Sequence, residues 1–172
     1  PADEVAAILI EPLQGEGGMV VCPPAYLQGL REICDEQGIL LICDEVQSGL
    51  GRTGRWASYE HAGITPDLST WAKALGGGLP IGAVVGRATV MDAAIGGTIG
   101  GTFGGNPICA AAALATLDVM EREDVCARAL RLGQKMSERL RAAHDSASTP
   151  IAEVRGLGAM MGIELCVDRD PH

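Results

Sequence analysis

The sequence predicts an α/β fold with parallel strands, and three observations carry that prediction. Ile39 to Cys43 is an unbroken apolar run without the alternation of a half-exposed strand, which suits a parallel strand covered on both faces. An amphipathic segment separates it from an earlier apolar run, Val5 to Ile10, so the unit reads as strand, helix, strand with a right-handed crossover. Polar, glycine-rich loops follow the strand ends, where open α/β sheets bind their ligands.

Val5 to Ile10 is rich in branched residues, and Glu11-Pro12 ends it because proline cannot continue a central ladder. The segment Gln14 to Gly18 reads as a glycine-rich loop. Pro23-Pro24 then opens a helix, since a proline in the first turn gives up an N–H that has no partner there. Tyr26, Leu27, Leu30, Ile33 and Cys34 fall on one face of that helix, Gln28, Arg31, Glu32 and Asp35 on the other, and Gly38 is its expected cap. Leu68 to Ala72 and Gly82 to Val85 read as two further short strands. Beyond Pro107 the chain becomes helical: an Ala- and Leu-rich helix over Ala110 to Met120, and a second from Asp124 to Ala143 with Val125, Ala129, Leu132, Met136 and Leu140 along one face. After a polar break at residues 146–150, Val154 to Cys166 reads as a strand pair or a bent strand.

With 172 residues the chain can bury one full core. A formal charge of −9 argues against nucleic acid and anionic membrane as partners, because both require clustered Lys and Arg. The six cysteines form no C-x-x-C pair and sit in apolar or helical stretches, as expected of small buried hydrophobes in a reducing cytosol and not of a disulfide framework or a zinc site. No signal peptide and no run long enough to span a bilayer is present. The chain starts at Pro1, without an initiator Met and close to a strand, which leads us to expect further residues upstream. His61, His144 and His172 match no metal-ligand spacing, and no metal site is expected.

Two residues stand out chemically. Asp44 ends the apolar run, at the mouth of its strand, and Lys73 lies just beyond the strand-like run Leu68 to Ala72, before Gly76-Gly77-Gly78-Leu79-Pro80. A carboxylate and an amine so placed suit pyridoxal phosphate: the amine bonds the aldehyde and the acid holds a proton on the ring nitrogen. The apolar neighbours Trp71, Ala72, Ala74 and Leu75 are expected to desolvate Lys73, which would lower its pKa and make it nucleophilic. Ordinary readings stand beside these. An Asp after a strand also caps turns, and a lysine among apolar residues also snorkels to solvent. Apolar residues followed by Asp44-Glu45 further imitate the magnesium-binding strand of P-loop ATPases, although no G-x-x-x-x-G-K-S/T precedes them. The loop Gly100 to Pro107, with Thr102, offers backbone N–H groups and a hydroxyl at a helix start, which suit a phosphate but equally an ordinary helix cap. Arg52 and Arg55 read as a solvated loop face.

Several stretches together resemble the class III (ornithine-type) pyridoxal-phosphate-dependent aminotransferases, and within them the 4-aminobutyrate enzymes. These are Ile10 to Gly18, Leu41 to Gly54, Pro66-Asp67-Leu68, Ala72-Lys73, Gly77 to Pro80, Gly101 to Pro107 and Val154 to Met160. The resemblance covers nearly the whole chain in order and spacing. It implies the large domain of a fold-type I transferase, with a mostly parallel sheet and helices on both faces. Residues 1–122 would be part of the cofactor-binding large domain, 123–150 a connecting helical region, and 151–172 the start of a small C-terminal domain. By the same resemblance Lys73 is the lysine bound to pyridoxal 5'-phosphate, Asp44 the partner of its ring nitrogen, and Gln47 the contact to its phenolic oxygen. Thr102 is a phosphate ligand given across a dimer interface, and Glu11 a residue near the substrate that pairs with an arginine. The implied reaction is transamination between an ω-amino acid and a 2-oxo acid by a cytoplasmic homodimer or dimer of dimers. Acetylornithine, ornithine and diaminobutyrate enzymes share these motifs. The ring-stacking aromatic and the carboxylate-binding arginine have no counterpart here, so the resemblance implies a fragment, inactive alone. A non-catalytic truncated relative and a nucleotide hydrolase are the readings from other classes.

Overall fold

The computed structural model describes residues 1–98, 100–146 and 148–167. His172 and the last residues of the expected C-terminal segment lie outside them. The elements in chain order are β1 (Ala7–Ile10), β2 (Leu13–Gln14), β3 (Val20–Val21), α1 (Pro24–Gln37), β4 (Leu40–Asp44), β5 (Leu68–Trp71), β6 (Ala83–Gly86), α2 (Ala88–Met91), α3 (Pro107–Arg122), α4 (Val125–Asp145), β7 (Ile151–Leu157) and β8 (Met160–Leu165). The main sheet has the order β1-β4-β5-β6, with β1, β4 and β5 parallel and β6 antiparallel to β5. This is the α/β, mostly parallel arrangement the apolar runs predict. The glycine-rich segment after Pro12 is not simply a loop: β2 and β3 pair there as a two-residue hairpin.

Helix α1 begins on Pro23-Pro24 and ends at Gly38, whose left-handed φ of 68° lets its N–H reach the Cys34 carbonyl. It packs Leu27 and Cys34 against Leu41 and Cys43 of β4, with Ile39, Ala62 and Ile64 completing the core. The buried stripe is narrower than the sequence pattern, because Tyr26 and Ile33 are exposed. Alternation along β4 sends Leu41 and Cys43 into this core and Ile42 and Asp44 to the opposite face, which the register shares with Leu9, Leu68, Thr70 and Val84. On that second face α2 and β5–β6 flank an apolar groove of about 680 Å³, and Leu9 remains 64% exposed.

Asp67, at the amino end of the β5 strand, is buried and ties the layers together. Its carboxylate accepts the Leu41 N–H at 2.7 Å and the Arg31 guanidinium at 2.9 Å, and it pairs with Arg87. Arg31, which the helical pattern assigns to the outer face, is thereby drawn inward. Asn106 caps α3 by accepting the Ile108 N–H at 2.9 Å. Helix α4 lies against the hairpin β7–β8 so closely that a side chain at Gly133 would run into the Gly158 backbone. Arg155 fastens the same hairpin to the glycine-rich loop, donating to the Gly18 carbonyl at 2.6 Å while pairing with Glu153 and Glu164.

The described cysteines are all free. Burial, with the Glu45 charge adding to it, pushes the Cys43 thiol up to about 12. Among the described residues no helix is long and apolar enough to cross a membrane.

Two outcomes test this packing. Burial raises the Asp67 pKa, but the Leu41 amide, Arg31 and Arg87 outweigh it and hold the carboxyl below its ordinary 3.8. The stability it contributes is therefore complete above pH 3.8 and is lost as pH falls through the lower folded value. Asp67→Asn should cost about 2 kcal/mol at neutral pH and flatten that acid dependence, measured by urea unfolding across a pH series. Gly133→Ala should destabilise by about 1–3 kcal/mol in the same assay, since neither backbone can yield without shifting the hairpin.

Candidate active site

Asp44 is the last residue of β4, and Lys73 follows β5 by two positions, so both stand at the carboxyl end of adjacent parallel strands. The Asp44 carboxylate is asymmetric. Oδ1 accepts the Val46 N–H at 2.9 Å and the Thr70 hydroxyl at 3.1 Å. Oδ2 accepts no hydrogen bond among the described residues. The turn-capping reading of this aspartate is therefore true of one oxygen and leaves the other available.

Lys73 opens a short 3-10 turn, Lys73–Gly76, in the left-handed region with φ 48°. For a residue with a Cβ this costs on the order of 1–2 kcal/mol. Contrary to the expectation from its apolar neighbours, the side chain is exposed. The 3-10 turn buries Leu75 and Gly76 and leaves Lys73 and Ala74 outside. Its amine makes no hydrogen bond or ion pair among the described residues.

Lys73 opens into a cleft of about 280 Å³ that Gln47, Val46, Arg52, Met19 and Met160 also line. Gln47 donates from Nε2 to Glu16 Oε1 at 3.0 Å, and the absence of a side chain at Gly15 makes room for its carboxamide. Gly15 in turn donates its N–H to Glu11 Oε2 at 2.9 Å, so Glu11 is linked to Gln47 through the glycine-rich loop. Thr102 is not among the residues lining this cleft; it sits on the exposed 100–105 loop beside Phe103, which is 82% exposed. Arg52 is exposed, as read from the sequence, yet it lines the cleft; Arg55 does not.

Two residues escaped the sequence reading, and a third was read differently. Thr70 bonds Asp44 only because the ladder pairs them, and pairing partners leave no mark in a single strand. Val46 lines both the Lys73 cleft and the wide apolar groove. Glu45, read as part of a polar loop, is 1% exposed. It accepts from the Ser48 and Ser58 hydroxyls and, at 3.0 Å, from the Tyr59 N–H. Burial raises its pKa more than those donors lower it. A carboxylate enclosed in this way is not free to ligate magnesium, which removes the support for the ATPase reading. His61 shares a 3.2 Å contact with the Thr53 hydroxyl, and burial holds its pKa below the ordinary value. No group of three or more His, Cys, Asp and Glu among the described residues is arranged to hold a metal.

Asp44 and Glu11, like Thr102, are not among the residues lining the Lys73 cleft, but by chemical type the donor set fits a pyridoxal ring. An unpaired amine meets the need of an aldehyde, a bare carboxylate oxygen that of a ring N–H, and a carboxamide that of a phenolic oxygen.

Comparison with known proteins agrees with this chemistry. The family profile described as "Aminotransferase class-III" matches residues 1–171. The 4-aminobutyrate aminotransferase of Escherichia coli (strain K12) is 52% identical over 168 residues, covering 98% of this chain and 39% of the relative. A leucine/methionine racemase of Thermococcus litoralis is 49% identical, with 98% and 38% covered. Among solved structures, an ornithine aminotransferase of Toxoplasma gondii, described with partial occupancy of PLP at its active site, superposes with a TM-score of 0.90 at 43% identity. That match covers 97% of this chain and 40% of that one. The chain thus spans about two fifths of the length of these relatives. It belongs to the class III aminotransferase family, whose members use pyridoxal phosphate.

Proposed function

We propose that this stretch is the cofactor-holding part of a pyridoxal-phosphate-dependent transaminase that moves an amino group from an ω-amino acid to a 2-oxo acid. The observation that carries the reading is the pairing of an unpartnered Lys73 amine with an Asp44 carboxylate, one of whose oxygens is pinned and the other bare, at neighbouring strand ends. Bound pyridoxal phosphate supplies an electron sink that lets the carbon bearing the amino group lose a proton. Lys73 Nζ would hold the cofactor at its aldehyde and would carry that proton. Asp44 Oδ2 would accept the ring N–H, and its charge would keep the proton there. The Gln47 carboxamide, which also donates to Glu16, would donate to the phenolic oxygen. Glu11, with one oxygen held by Gly15, keeps the other for a substrate-side arginine.

Thr102 serves the cofactor phosphate of a second copy in the same proposal. Its exposed loop is flanked by Ile95, Phe103 and Ile108, all exposed, which suits a face buried between subunits of a homodimer. The division into a large domain over 1–122, a connecting region over 123–150 and the start of a small domain from 151 belongs to this reading too, as does a cytoplasmic setting, which the free cysteines favour.

The 52% identity to a 4-aminobutyrate enzyme favours 4-aminobutyrate as donor. Acetylornithine aminotransferases at 45–48% identity and the ornithine aminotransferase superposition keep those donors as the second reading. Turnover of the full-length protein with 4-aminobutyrate, 5-aminovalerate, N-acetylornithine and ornithine against 2-oxoglutarate should rank 4-aminobutyrate first; a higher kcat/KM for either ornithine compound reverses the choice.

Cofactor binding is tested on the full-length protein. Added pyridoxal phosphate should produce a visible absorbance band that Lys73→Ala abolishes; a band of equal strength in that variant sinks the proposal. Lys73→Gly should also lose the band while gaining about 1 kcal/mol in urea unfolding, because glycine relieves the left-handed backbone at this position.

A further inference from the structure

Asp44 and Thr70 are cross-strand partners in the β4–β5 ladder, so their side chains leave the sheet on the same face. Among the described residues lining the apolar groove on that face, Thr70 has the one hydroxyl, and it is turned to Asp44 Oδ1 at 3.1 Å. The Val46 N–H reaches the same oxygen at 2.9 Å. Two donors from two different elements therefore converge on one carboxylate oxygen. Neither is free to follow a rotating carboxylate. Threonine is stiff at χ1, and the Val46 N–H is fixed by the turn that β4 enters. A carboxylate held by the turn alone would keep one bond while swinging its plane; with the second donor the plane is set and the oxygens are distinguished.

We propose that Thr70 is a positioning residue, which locks the Asp44 carboxylate through Oδ1 so that Oδ2 is presented to the ring nitrogen of the cofactor; this rests on the reading of Asp44 given above. Thr70 touches neither the ring nor the substrate in this assignment and acts only through Asp44. A hydroxyl in an apolar groove needs an acceptor, and Asp44 satisfies it, so the arrangement is stable before any cofactor arrives. The site is in this sense preorganised.

The variants are Thr70→Val, which keeps the branched shape without the donor, and Thr70→Ser, which keeps the donor. The first readout needs no cofactor: amide hydrogen exchange at Val46, followed by NMR on the whole chain. Thr70→Val should speed it roughly three- to tenfold, the scale of one hydrogen bond, and Thr70→Ser should restore the original rate. The second readout is the pyridoxal phosphate concentration that half-saturates the Lys73-dependent band, which should rise roughly tenfold in Thr70→Val and return in Thr70→Ser. If the unaltered full-length protein gives no Lys73-dependent band, the cofactor reading fails, and the part of this proposal that concerns the ring nitrogen fails with it. If the band forms but Thr70→Val leaves both Val46 exchange and cofactor affinity unchanged, the cofactor reading stands and the positioning role is overturned. A loss of affinity that Thr70→Ser shares also overturns it, since a side chain that keeps the hydroxyl would then fail as badly as one that lacks it.

Discussion

Asp67 is the constraint on which the rest of the molecule depends. Its carboxylate binds the β4 backbone at Leu41 and the α1 guanidinium of Arg31, and pairs with Arg87 beyond β6. Its backbone exchanges two further bonds, donating to the Leu41 carbonyl and accepting from the Arg87 N–H. One residue thus fixes the start of β5 relative to both its neighbours and to the helix that covers them. A buried carboxylate is tolerable only because its partners satisfy it from several directions. From that anchor the β4–β5 register follows, and the register sets Thr70 opposite Asp44 at the far end of the strands.

The working end of the sheet uses a different principle. There the backbone is irregular: Lys73 is left-handed, and Gly15 gives up its side chain to admit Gln47. The enclosed Glu45 ties the residues after Asp44 to the Ser58–Tyr59 segment, which makes the loop that carries Gln47 and Arg52 part of the core and not a free excursion. Rigidity at the amino ends of the strands and this buried carboxylate near the carboxyl ends hold a small set of polar groups in place without crowding them.

Much of this was legible in the chain. The apolar run Ile39 to Cys43 announced a parallel strand because a strand covered twice has no reason to alternate. Gly38 and the paired prolines bounded α1 because each restricts or frees φ locally. Lys73 and Asp44 stood out because charged groups beside apolar strands need a purpose. What stayed hidden was everything set by distance along the chain. Arg31 read as a solvent-facing residue because its partner lies 36 positions on. Glu45 read as loop because the hydroxyl that encloses it lies 13 positions away. The apolar neighbours of Lys73 suggested burial, but the turn at Lys73–Gly76 turns Leu75 inward and leaves Lys73 exposed with Ala74. The hairpin at Leu13–Gln14 and Val20–Val21 is too short for any period to reveal.

The alternation along β4 has a consequence for how such a chain can change over time. Leu41 and Cys43 face the α1 core, and Ile42 and Asp44 face away. A strand of this composition would accept the insertion of a single residue without losing its apolar character, yet the insertion would exchange its two faces. The carboxylate would then be driven into the core and a hydrocarbon side chain turned toward the groove. The site is thus protected by parity: evolution can resize the loops on either side freely, but can lengthen or shorten this strand only in steps of two.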